Sequence, residues 1–129
     1  MAPSEGDTYT YQRTFTEDTV RQFAAVTDDT QPRHTEPDDE GRLMVHGLLT
    51  GSLLTKIGGD IEMLAREMTF HFERPVYTGD TVRCRWVTEH VTDRGSGWNV
   101  EASVQCWRVE DGEKTDSVLR ATVEGLVED

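Results

Sequence analysis

Between Leu43 and Ile57 the chain reads Leu-Met-Val-His-Gly-Leu-Leu-Thr-Gly-Ser-Leu-Leu-Thr-Lys-Ile, with Lys56 its single charge. A helix that is apolar or small on every side belongs inside a protein. At 129 residues the chain suits one domain. Folding at that size buries roughly two thirds of the unfolded surface, enough for a core. A buried helix in so short a chain must be wrapped by the remainder of it. Gly47 and Gly51 let another backbone approach closely, and Gly58-Gly59 is expected to end the helix.

The rest of the sequence supplies the wrapping. Tyr9, Tyr11 and Phe15 alternate in a strand over Thr8 to Phe15. Thr16 is placed as an N-cap, with Glu17 and Asp18 in the first turn of a helix from Glu17 to about Val26. Asp28 to Arg42 is polar, holds Pro32, Pro37 and Gly41, and reads as an ordered loop or short turns. Beyond the central helix, apolar residues alternate at Met68, Phe70 and Phe72. They do so again at Val82, Cys84 and Trp86, at Val100, Ala102, Val104 and Cys106, and at Leu119, Ala121 and Val123. Turns at Thr78-Gly79-Asp80, Asp93 to Gly97 and Glu110-Asp111-Gly112 separate these runs. Period-two alternation at this spacing predicts an antiparallel meander with one apolar face. The expected fold class is α+β: one antiparallel sheet curled around one buried helix, as a single domain over residues 1–129. Such a sheet leaves an edge or face uncovered, so a homodimer or higher homo-oligomer is expected.

The net charge is −12, which excludes nucleic acid as a partner, since phosphates demand a basic face. There are 25 acidic residues, and only Lys56 and Lys114 are lysines. That acidic, lysine-poor surface resembles proteins of salt-loving organisms, in which ionic strength screens self-repulsion. No run of 18 apolar residues marks a membrane span, and the first seven residues carry no apolar signal core. The expected location is the cytoplasm. Cys84 and Cys106 fall on the apolar phase of strands and read as buried free thiols, and no Cys/His spacing suits zinc, so no metal is expected.

The chemistry is concentrated in Thr27-Asp28-Asp29-Thr30-Gln31-Pro32-Arg33-His34, followed twelve residues later by His46-Gly47. A carboxylate, an imidazole and a helix N-terminus are the parts needed to move a proton beside a carbonyl whose charge must be stabilised. On the residues alone, Asp29 and His34 are equally a turn-capping carboxylate and a surface imidazole. His46 reads more as a structural imidazole than a catalytic one, and Thr55 as a packing or helix-bonding hydroxyl.

The order of elements resembles the hot-dog fold, and the motif resembles its MaoC-like dehydratases and (R)-specific enoyl-CoA hydratases. That family carries a segment like Ser/Thr-Gly-Asp-x-Asn-Pro-x-His, then a His-Gly opening the central helix. Phe70-His71-Phe72-Glu73-Arg74-Pro75-Val76-Tyr77-Thr78-Gly79-Asp80 is similar to the family's strand ending in Pro-Val and a Gly-Asp turn. Asp28 stands where the family usually has Gly, and Asp tolerates a positive φ better than most residues. A second carboxylate beside Asp29 is expected to raise the pKa of Asp29. Gln31 replaces Asn and keeps an amide on a longer arm.

The resemblance implies reversible hydration of a trans-2-enoyl-CoA to an (R)-3-hydroxyacyl-CoA, without a cofactor. It places Asp29 and His34 as the catalytic pair and the Gly47 N–H on the thioester oxygen, with glycine leaving room for substrate. Thr55 falls where relatives carry a hydroxyl that helps fix the Asp loop. Gln31, Met44, His46, Leu48 and Thr55 make up the expected substrate-contacting set, with Met44 and Leu48 lining an acyl tunnel. Arg33, Arg42, Arg66 or Arg74 would face CoA phosphates. Two other readings remain open: a hot-dog thioesterase, disfavoured because Leu43 to Ile57 holds no Asp or Glu, and a non-catalytic acyl-CoA-binding protein. A −12 surface favours CoA over an acidic carrier protein.

Overall fold

The computed structural model describes residues 2–128. Its elements run β1 (Thr8–Thr14), α1 (Glu17–Thr27), α2 (Pro32–Thr35), α3 (Gly47–Asp60), β2 (Met63–Phe72), β3 (Thr81–Asp93), β4 (Trp98–Glu110) and β5 (Glu113–Val127). The strands form one antiparallel sheet in the order β1-β3-β4-β5-β2. α1 starts where its cap predicts, with Thr16 Oγ1 accepting from the Thr19 N–H at 3.2 Å.

α3 lies across the apolar face of the sheet. Leu49, Leu53, Leu54 and Ile57 pack with Val82, Cys84, Trp86, Ala102, Val104, Cys106, Leu119, Ala121 and Val123 in one core, as the alternation requires. A sheet wrapped on a central helix in this strand order is the hot-dog fold. Cys84 and Cys106 are buried free thiols directly opposite each other on β3 and β4. The hydrogen bond with the Cys84 thiol, and after it burial, push the Cys106 thiol far up, so it stays protonated and inert.

The central helix starts at Gly47, where the His-Gly pair places it, and the apolar run before it is not helical. Leu43 to His46 is extended, because this segment pairs with Val76 to Thr78: Val45 N–H donates to Val76 O at 2.7 Å and Thr78 N–H to Leu43 O at 2.9 Å. At the far end the helix runs through Gly58-Gly59 to Asp60. Neither glycine takes a left-handed conformation; Glu62, with φ +55°, does. The helix is also not covered all round. Leu48 is 61% exposed, alongside exposed Met68, Phe72 and Leu64 on edge strand β2.

Gly47 and Gly51 admit aromatic rings and not a second backbone. A Cβ on Gly47 would sit 2.9 Å from the Phe72 ring, and one on Gly51 would sit 3.0 Å from the Phe70 ring. The two rings are stacked at 5.7 Å. This contact joins the start of α3 to the sheet edge.

The outer sheet face carries part of the net charge in an ordered way. Glu124 on β5 lies directly between Glu101 on β4 and Glu67 on β2. Like charges directly opposite on adjacent strands are destabilising, and salt screens them. The thermal midpoint should therefore rise with NaCl into the molar range. Glu124→Gln should raise the low-salt midpoint and flatten that dependence. Calorimetry across a salt series checks both, and a midpoint that falls steadily with salt would contradict them.

Candidate active site

Asp28 ends α1 in the left-handed conformation, with φ +60° and ψ +18°. The chain tolerates this because Asp is among the few non-glycine residues that enter that region readily. The reversal turns Asp29 back toward the body of the protein. Gln31 N-caps α2 and Pro32 opens it, since proline is pre-set for the first helical position. One turn of α2 then delivers His34, 5% exposed, under the loop.

Main-chain carbonyls fix both imidazoles. His34 Nδ1 lies 2.6 Å from Met44 O. A carbonyl only accepts, so Nδ1 carries the proton and donates, leaving Nε2 bare in the neutral ring. That bare nitrogen lies 3.8 Å from Asp29 Oδ2, too far for a direct hydrogen bond and within reach of one bridging water. By the same reasoning His46 Nε2 donates to Asp29 O at 3.0 Å. His46 is 3% exposed. One face of its ring stacks on His34 at 3.7 Å and 17°, and Phe23 meets it edge-on at 4.9 Å.

Asp29 titrates below the usual carboxylate range. The chief cause is the Gln31 amide, whose Nε2 donates to Oδ1 at 2.9 Å, with the nearby His34 and His46 adding to it. The upward shift expected from adjacent Asp28 does not occur: Asp28 is not among the groups that move Asp29, and the Gln31 amide outweighs the burial that would raise it. Asp29 remains partly exposed, its side chain at 43%.

Gly47 opens α3 immediately after His46, and the His46 side chain does not cap the helix. First-turn N–H groups at the positive end of a helix are thereby left for an incoming acceptor. A cavity of about 250 Å³ adjoins this point, lined by Met44, Val45, Gly47, Thr50, Phe72 and Arg74 among others. Arg42 is engaged with Asp38, Glu40 and the Tyr77 ring, while Arg33 and Arg66 are exposed.

The structure thus brings Asp29, Gln31, His34, His46, Gly47 and Met44 together. It does not bring Leu48, which points to solvent, or Thr55, about two turns along α3. Thr55 lines a separate apolar cavity of about 380 Å³ with Leu54, Gly58, Met63, Met68 and Trp86. The His34–His46 stack went unpredicted, since residues twelve apart across two elements leave no periodic signal.

Asp29, His34 and His46 present ligand-type atoms within 4.8 Å of one another. A metal must lie near the ring plane of each imidazole that binds it, about 2.0–2.1 Å from the nitrogen for zinc. Two rings stacked nearly parallel direct their lone pairs along separate planes, so this trio does not converge on one cation.

A family model described as a MaoC like domain matches residues 2–110. Comparison with curated proteins gives no significant match. Among solved structures, the chain is similar to the R-hydratase PhaJ1 from Pseudomonas aeruginosa, with TM-score 0.83 and 19% identity over 98% of this chain and 83% of that one. It is similar to the (R)-hydratase from A. caviae involved in PHA biosynthesis, with TM-score 0.82 and 18% identity over 97% of each chain. It is also similar to protein af1124 from Archaeoglobus fulgidus, with TM-score 0.78 and 25% identity over 98% and 80%.

Replacing Gln31 by Leu removes the donor that most depresses the Asp29 pKa. The Asp29 titration should then move up toward the ordinary carboxylate value, read from its carboxyl carbon by NMR. The sign follows from linkage: a depressed folded pKa favours the folded state above the ordinary carboxylate value, and this is lost as pH falls. An unmoved titration would assign the shift elsewhere.

Proposed function

Because the chain belongs to the MaoC-like domain family, we propose that it is a hydratase/dehydratase interconverting trans-2-enoyl-CoA and (R)-3-hydroxyacyl-CoA. The observation that carries this reading is the bare His34 Nε2 facing the ionised Asp29 carboxylate across 3.8 Å, beside the uncapped start of α3. Two acceptors at that spacing hold one water by both its hydrogens.

In the hydration direction that water attacks C3 of the enoyl thioester while one of the pair takes its proton. The C2=C3 electrons move onto the thioester oxygen, and C2 then takes a proton to complete the addition. The Gly47 N–H is assigned to the developing oxyanion, a role whose loss typically costs about 10²–10³-fold in rate. No protein cofactor enters this scheme. Gln31 holds Asp29 ionised, and Arg74 is the basic side chain nearest the thioester cavity for a CoA phosphate. The acyl tail is given the apolar cavity beside Thr55, which lies about 12 Å along the helix from Gly47.

The test is loss of the enoyl absorbance of crotonyl-CoA in high-salt buffer, without thiol release. Asp29→Asn and His34→Ala should each lower kcat by about 10²–10⁴-fold with the fold intact. Longer enoyl-CoAs should remain substrates if the tail uses the apolar cavity. Full activity in both variants would remove the pair from the chemistry, and thiol release from a saturated acyl-CoA would make the protein a thioesterase.

We assign the exposed side chains of Leu48, Met68 and Phe72 to a second copy, making a homodimer. An edge strand with apolar side chains is an open template for pairing. Light scattering should give twice the chain mass, and Met68→Glu should shift it toward the monomer. A wild-type monomer would contradict this assignment.

A further inference from the structure

We infer that His46 is a positioning residue that locks the Asp29 loop to the start of α3 and sets the face against which His34 works. This deepens the hydratase reading and rests on it for its kinetic consequences.

Three observations converge on His46. Its Nε2–H donates to the main-chain carbonyl of Asp29 at 3.0 Å, across seventeen residues of chain. Its ring stacks on His34 at 3.7 Å, and His34 is itself tied to Met44 O, two residues before His46. Its Nδ1 is buried with no hydrogen-bond partner among the described residues. Stacked on His34, met by Phe23 and 3% exposed, the His46 ring is closed to substrate.

An unpartnered buried nitrogen ordinarily costs stability, so a plain apolar ring would serve better here if packing were the whole role. What a phenyl ring lacks is the donor to Asp29. Asp29 itself is otherwise lightly held: its N–H meets Thr27 Oγ1 at 3.4 Å and its carboxylate takes the exposed Gln31 amide, while Thr35 Oγ1 and the His34 N–H hold the carbonyls of Thr30 and Gln31 beyond it. His46 also immediately precedes Gly47. A single residue therefore fixes the distance between the water-holding pair and the proposed oxyanion donor. Misplacement of such groups by about 1 Å can cost on the order of 10²-fold.

Two variants separate a clamp from a packing residue. His46→Gln keeps a donor at the position of Nε2 and loses the aromatic stack. His46→Phe keeps an aromatic ring and loses the donor. The clamp requires Gln to retain more kcat than Phe, with Phe down by about 10–10²-fold and KM little changed. Packing alone requires the reverse order, and that order, or equal activities, would overturn the inference.

Long-range proton–nitrogen NMR of the wild-type protein gives a second readout. It should show His46 protonated on Nε2 and His34 on Nδ1; His46 protonated on Nδ1 alone would overturn the clamp whatever the variants do. Amide exchange at Asp29 to Gln31 should quicken in the Phe variant and not in the Gln variant. An inactive wild-type protein would sink the hydratase reading, while the tautomer and exchange results would still decide the clamp.

Discussion

The site depends on two main-chain carbonyls, those of Met44 and Asp29, because each can only accept. Met44 O takes the proton of His34 Nδ1 and so leaves Nε2 bare toward Asp29. Asp29 O takes the proton of His46 Nε2 and so holds the loop that carries the carboxylate. Neither imidazole has a free choice of tautomer in its neutral form. Both carbonyls are available because the segment before α3 is extended and paired with Val76 to Thr78, and because α1 ends in a left-handed residue.

That arrangement needs a rigid floor, and α3 provides it. Leu53 and Leu54 are each 1% exposed in the core, so the helix cannot shift without opening it. Its first two turns are held against the sheet edge by Phe72 on Gly47 and Phe70 on Gly51. The same glycine that starts the helix therefore serves packing. Its fitness for a close approach by substrate, argued from glycine's missing side chain, competes with an aromatic ring already seated there.

Much of the fold was legible because hydrophobic periodicity is local. The runs at Val82, Cys84 and Trp86, and at Val100 to Cys106, point into the core as their alternation requires. The start of α3 at Gly47 followed from the His-Gly pair, while the apolar run before it and the far end were less legible. Leu43 to Val45 are as apolar as a helix, yet their backbone bonds go to a distant segment. Gly58-Gly59 resembles a stop, yet neither glycine adopts the conformation that makes one. At the site, Asp29, Gln31 and His34 were readable from one short motif, since a carboxylate, an amide and an imidazole around a proline imply a turn with chemistry. Thr55 lies about two turns along α3 from Gly47 and lines the apolar cavity, away from the Asp29 loop that the resemblance had it help fix.

The sequence by itself determined the sheet's inward face, the buried thiols, the acidic surface and the membership of Asp29 and His34 in one turn-rich segment. Each follows from residue type and spacing within about a dozen positions. Only the tertiary structure decided which imidazole nitrogen is bare, that His46 lies behind His34, and that the two phenylalanines of β2 cover the glycines of α3. Those facts depend on carbonyl directions and on ring contacts between segments far apart in the chain. No local pattern encodes them, because they exist only once the helix has docked on the sheet.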